Sequence, residues 1–228
     1  MNVRLCLILL LITSFFEVRG QETLERRDKV NDYFEQKYHV LKSNRKIKHG
    51  AYQVFRGESL IVEGMFDNGE KIGRWNFFSP NGRIEQRFNF SSNKLEYYKP
   101  DTAVLQFRIE HPLKPGDIIY YPAKIGSSQL TFHKFIMKSI EMDYRLRGTT
   151  GEFELFNIFY LDKNGKLIKW QKKVASLNYN LVNEDRFKNF EAEDLLFTPA
   201  RVNGQSVPSV IIHKSMLKTS TSRGSSSQ

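Results

Sequence analysis

The sequence is nearly free of cysteine. Its single cysteine, Cys6, lies inside an apolar run close to the N-terminus. If that run is removed on export, the mature chain has no thiol, which excludes disulfide bonds, cysteine metal sites and thiol chemistry. A lipoprotein signal would place its cysteine at the end of the apolar run, so we do not expect a lipid anchor at Cys6.

Long hydrophobic runs are also missing. The N-terminal apolar stretch covers residues 5–16, whereas a membrane-spanning helix needs about twenty such residues. The basic residue Arg4 precedes the stretch, and small residues near a plausible cleavage point precede Gln21. This pattern predicts a cleaved signal peptide over residues 1–20 and a periplasmic or secreted mature protein. A retained N-terminal anchor is the alternative.

The sequence lacks the residue groupings that are typical of catalytic and metal sites. No two of its histidines stand at a metal-binding spacing. They are His39, His49, His111, His133 and His213. There is no glycine-rich phosphate loop, no G-x-S-x-G motif and no nucleophile beside a base. The sequence therefore predicts no catalytic residue, no cofactor and no metal, and a protein that is not an enzyme.

Aromatic residues and positive charge are plentiful. Eighteen Phe and ten Tyr supply most of the 13% aromatic content, which is typical of β-rich proteins because aromatic side chains pack well on a pleated surface. The formal net charge is +10 and is spread along the chain. It favours a solvated basic surface, with contact to an anionic envelope surface or an acidic partner segment as the sharper alternative. We do not expect nucleic acid as a partner of an exported protein.

The first half of the chain repeats a short hairpin pattern. Residues 50–55 align with residues 73–78, and a turn and a short strand follow each copy. Asn68 and Gly69 stand between two strand-like runs and predict a hairpin, because both residue types tolerate positive φ. The aromatic side chains are predicted to stack in one layer. The residues predicted to face water are Arg74, Asn76, Arg83 and Glu85.

These repeats resemble the MORN-like repeat variant of bacterial envelope proteins. The resemblance rests on the Asn-Gly turn, on a following Lys and Gly, and on Trp75 with the aromatic pair after it. It covers roughly residues 36–98 and implies a stack of antiparallel β-hairpins over residues 36–110. Upstream, three apolar residues at helical spacing predict a short helical lead-in over residues 21–35.

The pattern changes after the repeats. Residues 111–119 contain two prolines and a glycine and are predicted to be a linker. Beyond them, Phe132, Phe135 and Ile136 fall on one face of a predicted helix. A hairpin of residues 152–161 and 166–174 follows, joined by an Asn-Gly turn.

The end of the chain predicts a second helix, a last strand and a tail. The helix is indicated by apolar residues at helical spacing, which are Phe187, Phe190 and Leu195. Residues 207–213 are predicted to form a last strand. Residues 219–228 are rich in serine and are expected to be disordered.

Ordered landmarks in this half resemble the C-terminal domain of TonB. They are Gly151, the hairpin Asp162-Lys163-Asn164-Gly165-Lys166, the element Phe197-Thr198-Pro199-Ala200 and the turn Asn203-Gly204. The resemblance spans about residues 120–214 and places a domain at residues 120–218. The two resemblances together imply an α+β fold, in which the hairpin stack precedes a small domain with a three-stranded antiparallel sheet and two helices.

The TonB resemblance implies a binding surface at the last strand. In that family the final strand region accepts an extended peptide by strand addition, where main-chain hydrogen bonds give affinity. The implied contacts are Ser206, Val207, Ser209, Val210, Ile211, Ile212 and His213, with Arg201 and Lys214 placed to receive an acidic peptide. We therefore expect a non-catalytic envelope protein that binds a peptide segment of an envelope or outer-membrane protein.

Two other functions are compatible with the sequence. With a retained anchor, the chain would be a TonB-family energy transducer component for outer-membrane transport. Such transducers also need a membrane span and a proline-rich spacer, and we identify neither in this sequence. In the other alternative, both halves pack together as a purely structural secreted scaffold.

Cleavage of residues 1–20 is directly testable. We expect the intact mass and N-terminal sequence of the protein purified from its native host to begin at Gln21, because the apolar run is too short to remain as an anchor. Recovery of the protein from a membrane fraction with Met1 or Asn2 at its N-terminus would contradict this expectation and favour the transducer.

Overall fold

The structure is a computed structural model that describes residues 21–142, 150–176, 179–185 and 190–219. Within these residues the protein is mostly β-structure, with seventeen strands in four sheets, one α-helix and one 3-10 turn. The predicted signal peptide, Phe187 of the predicted second helix and the serine-rich tail beyond Thr219 lie outside the described residues.

The first half forms a seven-stranded antiparallel meander, in which each strand pairs with its neighbours in the chain. The strands are β1 (Thr23–Lys29), β2 (Glu35–Leu41), β3 (Lys48–Arg56), β4 (Ser59–Asp67), β5 (Glu70–Phe78), β6 (Ile84–Asn89) and β7 (Lys94–Tyr98). Asn68 and Gly69 both have positive φ at the β4–β5 turn, so the predicted hairpin is confirmed.

The predicted helical lead-in over residues 21–35 is wrong. β1 pairs with β2 along its whole length, and the segment between them is a turn in which the Asn31 side chain accepts hydrogen bonds from the N–H groups of Tyr33 and Phe34. Phe34 is buried in the core of the meander. The apolar spacing that suggested a helix therefore belongs to a turn, which is stabilised by contacts distant in sequence.

One face of the meander carries a layer of aromatic side chains. The rings of Tyr52, Phe66 and Trp75 pack against one another at centroid distances of 5.2–5.3 Å. Phe90 extends the layer at 5.5 Å from Trp75. The indole of Trp75 is fully buried and lies against Gly64 of β4, which leaves no room for a side chain at that position.

The second half is built around a five-stranded antiparallel sheet. The remaining elements are β8 (Leu105–Ile109), β9 (Ile119–Tyr120), β10 (Ala123–Lys124), α1 (Ser128–Met142), β11 (Gly151–Leu161), β12 (Leu167–Ser176), β13 (Tyr179–Asp185), a 3-10 turn (Ala192–Leu195), β14 (Phe197–Thr198), β15 (Ala200–Val202), β16 (Gln205–Val207) and β17 (Ser209–Thr219). The five-stranded sheet has the order β13-β12-β11-β17-β8. A three-stranded sheet, β16-β15-β9, and the pair β10–β14 accompany it.

These elements correct the predicted α+β fold class. The β11–β12 hairpin and α1 are confirmed, and Phe132 and Phe135 of α1 are buried. A three-stranded sheet with two helices is wrong, because the main sheet has five strands and α1 is the one α-helix in the described part of the chain. Where the second helix was predicted, the described residues form β13, which pairs with β12, and the 3-10 turn.

The two halves share strands and a core. β8 lies within the predicted repeat region but pairs with β17 of the second half. Ala123 and Ile125, from the second half, are buried in the core of the meander. The change of sheet therefore precedes the predicted linker at residues 111–119.

β6 is attached to the segment before α1 by side-chain hydrogen bonds. The buried Gln86 amide donates to the carbonyl oxygen of Lys124 at 3.0 Å and accepts from the N–H of Gly126 at 2.8 Å. The Glu85 carboxylate accepts from the N–H and the hydroxyl of Ser128, both at 2.8 Å. Burial raises the pKa of Glu85, although these two hydrogen bonds oppose the shift. The prediction that Glu85 faces water is therefore wrong.

The contact of Gly64 with Trp75 predicts a large effect of one methyl group. A Cβ at position 64 would overlap the indole ring, so we expect Gly64→Ala to lower the free energy of unfolding by about 3 kcal/mol or more, at the upper end of overpacking effects. In a Trp75→Leu background, where the ring is gone, the same change is expected to cost less than about 1 kcal/mol. Denaturant titrations of the four proteins measure this cycle, and equal costs in both backgrounds would contradict the contact.

Candidate functional site

The predicted binding strand is in the interior of the five-stranded sheet. Along residues 209–213, β17 pairs with β11 on one side and with β8 on the other. Its backbone hydrogen-bonding groups are therefore used within the fold. Strand addition at this segment, as the sequence predicted, is wrong because the required edge is covered by β8.

The side chains of this segment are also largely inaccessible. Ser209, Val210 and Ile211 are buried, and only Ile212 is partly exposed. The His213 ring stacks on Phe132 of α1 with 4.2 Å between the ring centroids. Burial lowers the pKa of His213 to about 4, so its imidazole is neutral near pH 7 and belongs to the core.

The other predicted contact residues are dispersed. Ser206 and Val207 lie on β16, where Val207 is buried against Ala200 and Val202. Arg201 is exposed on β15 and pairs with Ser206 and Tyr120. The structure therefore places Arg201 on the three-stranded sheet and Lys214 on the five-stranded sheet.

An edge with unpaired backbone begins immediately after the predicted segment. β8 begins at Leu105, opposite His213, and the last hydrogen bond to this region runs from the N–H of Lys214 to the carbonyl oxygen of Val104 at 2.8 Å. β17 continues to Thr219, and among the described residues its only partner there is β11. We call residues 215–218, on the side away from β11, the β17 edge.

Two residues of the β17 edge point their backbone groups outward. In an antiparallel ladder, alternate residues direct both N–H and C=O to the same side. Because Lys214 bonds toward Val104, the even-numbered residues face the β8 side and the odd-numbered residues face β11. Met216 and Lys218 therefore present N–H and C=O groups with no partner in the described structure.

The outer face of the β17 edge carries neutralised charge. Lys214 pairs with Glu154 at 2.5 Å, and Lys218 pairs with Glu152 at 2.6 Å. The hydrogen bond to Glu152 raises the pKa of Lys218. Met216 lies between the two lysines along β17 and is 55% exposed. Since each lysine already has a carboxylate, this face has no preference for an acidic peptide through Lys214.

The inner face of the β17 edge is apolar. Leu217 packs against a small cluster of Phe153, Leu155 and Val174, and Ile136 of α1 borders the same cluster. A strand added beside β17 would place alternate side chains next to Leu217 and over this cluster, and the others beside Met216. The edge therefore favours a partner strand with one apolar face.

Sequence reasoning missed Met216 and Lys218 because the last strand was predicted to end at His213. Residues 213–218 show no regular alternation of polar and apolar residues that would extend the strand. The feature that exposes the edge is the shortness of β8, which pairs with only five residues of β17. Because β8 lies 100 residues away in the sequence, no local sequence pattern predicts that the β17 edge is exposed.

Neither a cluster of metal ligands among the described residues nor a match to a known protein indicates another site. Across the described residues, no three His, Cys, Asp or Glu side chains are grouped as metal ligands. Of the helical segments that the structure describes, none is long and apolar enough to cross a membrane. No protein-family model, no curated protein and no solved structure matches this chain.

The alternation along β17 predicts a matching pattern of amide hydrogen exchange. In the free protein we expect the N–H groups of Met216 and Lys218 to exchange at least about tenfold faster than those of Ser215 and Leu217, which bond to β11. Ile212 is the internal control, because its N–H points to the same side as that of Met216 but is covered by β8. Exchange at Met216 as slow as at Ile212, measured by NMR, would show that the edge is covered.

Proposed function

We propose that this chain is an exported, non-catalytic envelope protein that binds an extended peptide segment of another envelope protein by strand addition at the β17 edge. The observation that carries the proposal is the outward-facing, unpaired backbone of Met216 and Lys218 beside a segment of β17 that is fully paired. The TonB-like landmarks of the sequence, such as the hairpin at residues 162–166, favour the same binding mode.

The affinity of such a site depends on more than main-chain bonds. Met216 and Lys218 together offer two N–H and two C=O groups, and a hydrogen bond contributes about 1 kcal/mol net. Four bonds therefore supply about 4 kcal/mol before the loss of translational and rotational freedom, whereas micromolar binding needs about 8 kcal/mol. The remainder has to come from apolar side chains packed beside Leu217, which selects peptides with alternating apolar residues.

One competing edge of the fold is protected by charge. β1 is the outer strand of the meander, and five consecutive residues of it are charged: Glu25, Arg26, Arg27, Asp28 and Lys29. Charged side chains on an edge strand oppose pairing with another chain, because the added strand would have to desolvate them. The exposed part of β17 instead carries Met216 between two ion-paired lysines. This contrast favours β17 over β1 as the docking edge.

Proline at position 216 tests the proposal without breaking the fold. The N–H of Met216 points away from β11, so Met216→Pro removes an outward donor and leaves the internal ladder intact. We expect peptides selected from a displayed random library on the wild-type protein to show alternating apolar residues and to bind with micromolar Kd. Their affinity is expected to fall at least about tenfold for Met216→Pro and to change less than about threefold for the matched control Met216→Thr, measured by calorimetry.

Three other experimental outcomes would each identify a different role for the β17 edge. Selected peptides that bind Met216→Pro as well as the wild type would place binding elsewhere and contradict the proposal. A wild-type dimer in analytical ultracentrifugation that Met216→Pro dissociates would make a second copy of this chain the occupant. A monomer that enriches no peptide would overturn the proposal and favour a purely structural scaffold.

A further inference from the structure

Exposed hydrophobic side chains are concentrated in the segment from β8 to β10. Among the described residues, four of the large hydrophobic side chains that remain exposed fall within residues 113–121, and no other stretch of that length holds more than two. They are Leu113, Ile118, Tyr120 and Tyr121, which we call the Tyr120 patch. Ile118 and Tyr120 are each 62% exposed. Exposed hydrophobic surface that is concentrated in one place indicates an interaction site.

The two most exposed residues of the Tyr120 patch lie on the same face of the three-stranded sheet. The N–H of Asn203 donates to the carbonyl oxygen of Ile118 at 2.9 Å, so the pairing of β9 with β15 continues beyond Ile119. Side chains alternate along a strand, and Ile119 lies opposite the buried Val202. Ile118 and Tyr120 therefore both point to the outer face of this sheet.

The turn that precedes β9 is fixed by its own hydrogen bonds. The N–H of Asp117 donates to the carbonyl oxygen of Lys114 at 3.2 Å, and Pro115 and Gly116, with φ of 92°, occupy the middle of the turn. The Asp117 carboxylate accepts from the N–H of Lys114 at 2.7 Å and from the Asn203 amide at 2.8 Å, and these bonds lower the pKa of Asp117. The segment is therefore ordered before any partner binds, which reduces the entropic cost of binding.

The two tyrosines of the patch are suited to a boundary between an apolar phase and water. The ring of Tyr121 stacks on Phe107 of β8 with 4.9 Å between the ring centroids, and Tyr121 is still 46% exposed. The hydroxyl groups of Tyr120 and Tyr121 make no hydrogen bond to any residue that the structure describes. A tyrosine combines an apolar ring with a hydrogen-bonding hydroxyl, which favours positions at a membrane surface.

Two exposed cations accompany the patch. Arg201 lies on β15 and Lys114 begins the turn, and neither side chain has an ion-pair partner within the described part of the chain. The nearby carboxylates already have partners, because Glu110 pairs with Arg108 at 2.7 Å and Asp117 accepts the two bonds of the turn. The whole chain has a formal net charge of +10, which attracts it to anionic surfaces.

We propose that the Tyr120 patch docks this protein on an anionic lipid bilayer. Ile118 and Tyr120 enter the headgroup region, and Arg201 and Lys114 contact lipid phosphates. Arginine binds phosphate through two parallel hydrogen bonds, and lysine binds it as a point charge. Apolar side chains beside long cationic ones match the layered polarity of a bilayer surface. This inference goes beyond peptide binding at the β17 edge and does not depend on it.

Co-sedimentation of the full chain with lipid vesicles tests the proposal. We expect binding to phosphatidylcholine vesicles that contain about one-third phosphatidylglycerol to be at least about tenfold stronger than to phosphatidylcholine alone, and to weaken as salt is raised. Met216→Pro is expected to leave vesicle binding unchanged, so failure at the β17 edge and failure at the Tyr120 patch can be told apart. Equal binding to both kinds of vesicle, or no binding, would overturn the proposal, and the second result would favour an acidic protein segment as the occupant.

Matched variants separate docking by the patch from attraction by net charge. Tyr120→Ser is expected to weaken binding to the anionic vesicles at least about fivefold, whereas Tyr97→Ser, at an exposed tyrosine of β7, changes it less than about twofold. Arg201→Gln is expected to weaken binding about fivefold, and Arg26→Gln, which removes the same charge from β1, less than about twofold. All four positions are exposed, so we expect unchanged melting temperatures by circular dichroism. Equal losses at the patch and at the control positions would overturn the proposal.

Discussion

The buried amide of Gln86 joins the meander to the segment before α1. It donates to the carbonyl oxygen of Lys124 and accepts from the N–H of Gly126, so it satisfies two backbone groups that face the meander. Loss of such an amide would leave both groups buried without partners, at about 1–3 kcal/mol each. The ammonium of Lys124 continues the network by donating to the carbonyl oxygens of Ile125, Glu193 and Leu196. This network holds the 3-10 turn over the meander and so brings Glu193 to Lys71.

The β17 edge exists because two neighbouring strands differ in length. β17 has eleven residues, and β8 has five. The chain enters β8 from a tight turn in which the carbonyl oxygen of Asp101 accepts from the N–H groups of Val104 and Leu105, and its side chain accepts from Ala103. Because the chain reaches β17 only after this turn, it does not pair with the backbone of Met216. A short turn that is distant from the β17 edge in sequence thus determines which part of β17 keeps an unpaired backbone.

The parts of the fold that the sequence predicted are those with local causes. The turn at Asn68 and Gly69 requires positive φ, and the spacing of Phe132 and Phe135 defines the buried face of α1. β1 and β13 were missed because each is defined by pairing with a neighbouring strand and carries no regular alternation. The contacts of Glu85 and Gln86 join residues about 40 positions apart, and the exposure of Met216 depends on a strand about 100 positions away. Such residues look like ordinary surface positions in the sequence.

The meander and the five-stranded sheet also differ in how their contacts are ordered along the chain. Every strand of the meander pairs with its immediate neighbour in sequence, so the loops that close during its folding are short. The pairing of β8 with β17 joins residues about 100 positions apart, and a contact of that separation forms slowly. The meander can therefore form before β17 is in place, and the later arrival of β17 closes the second core. Until that step, β11 and β8 expose their own unpaired backbone, which is the period in which this chain is most prone to pair with another.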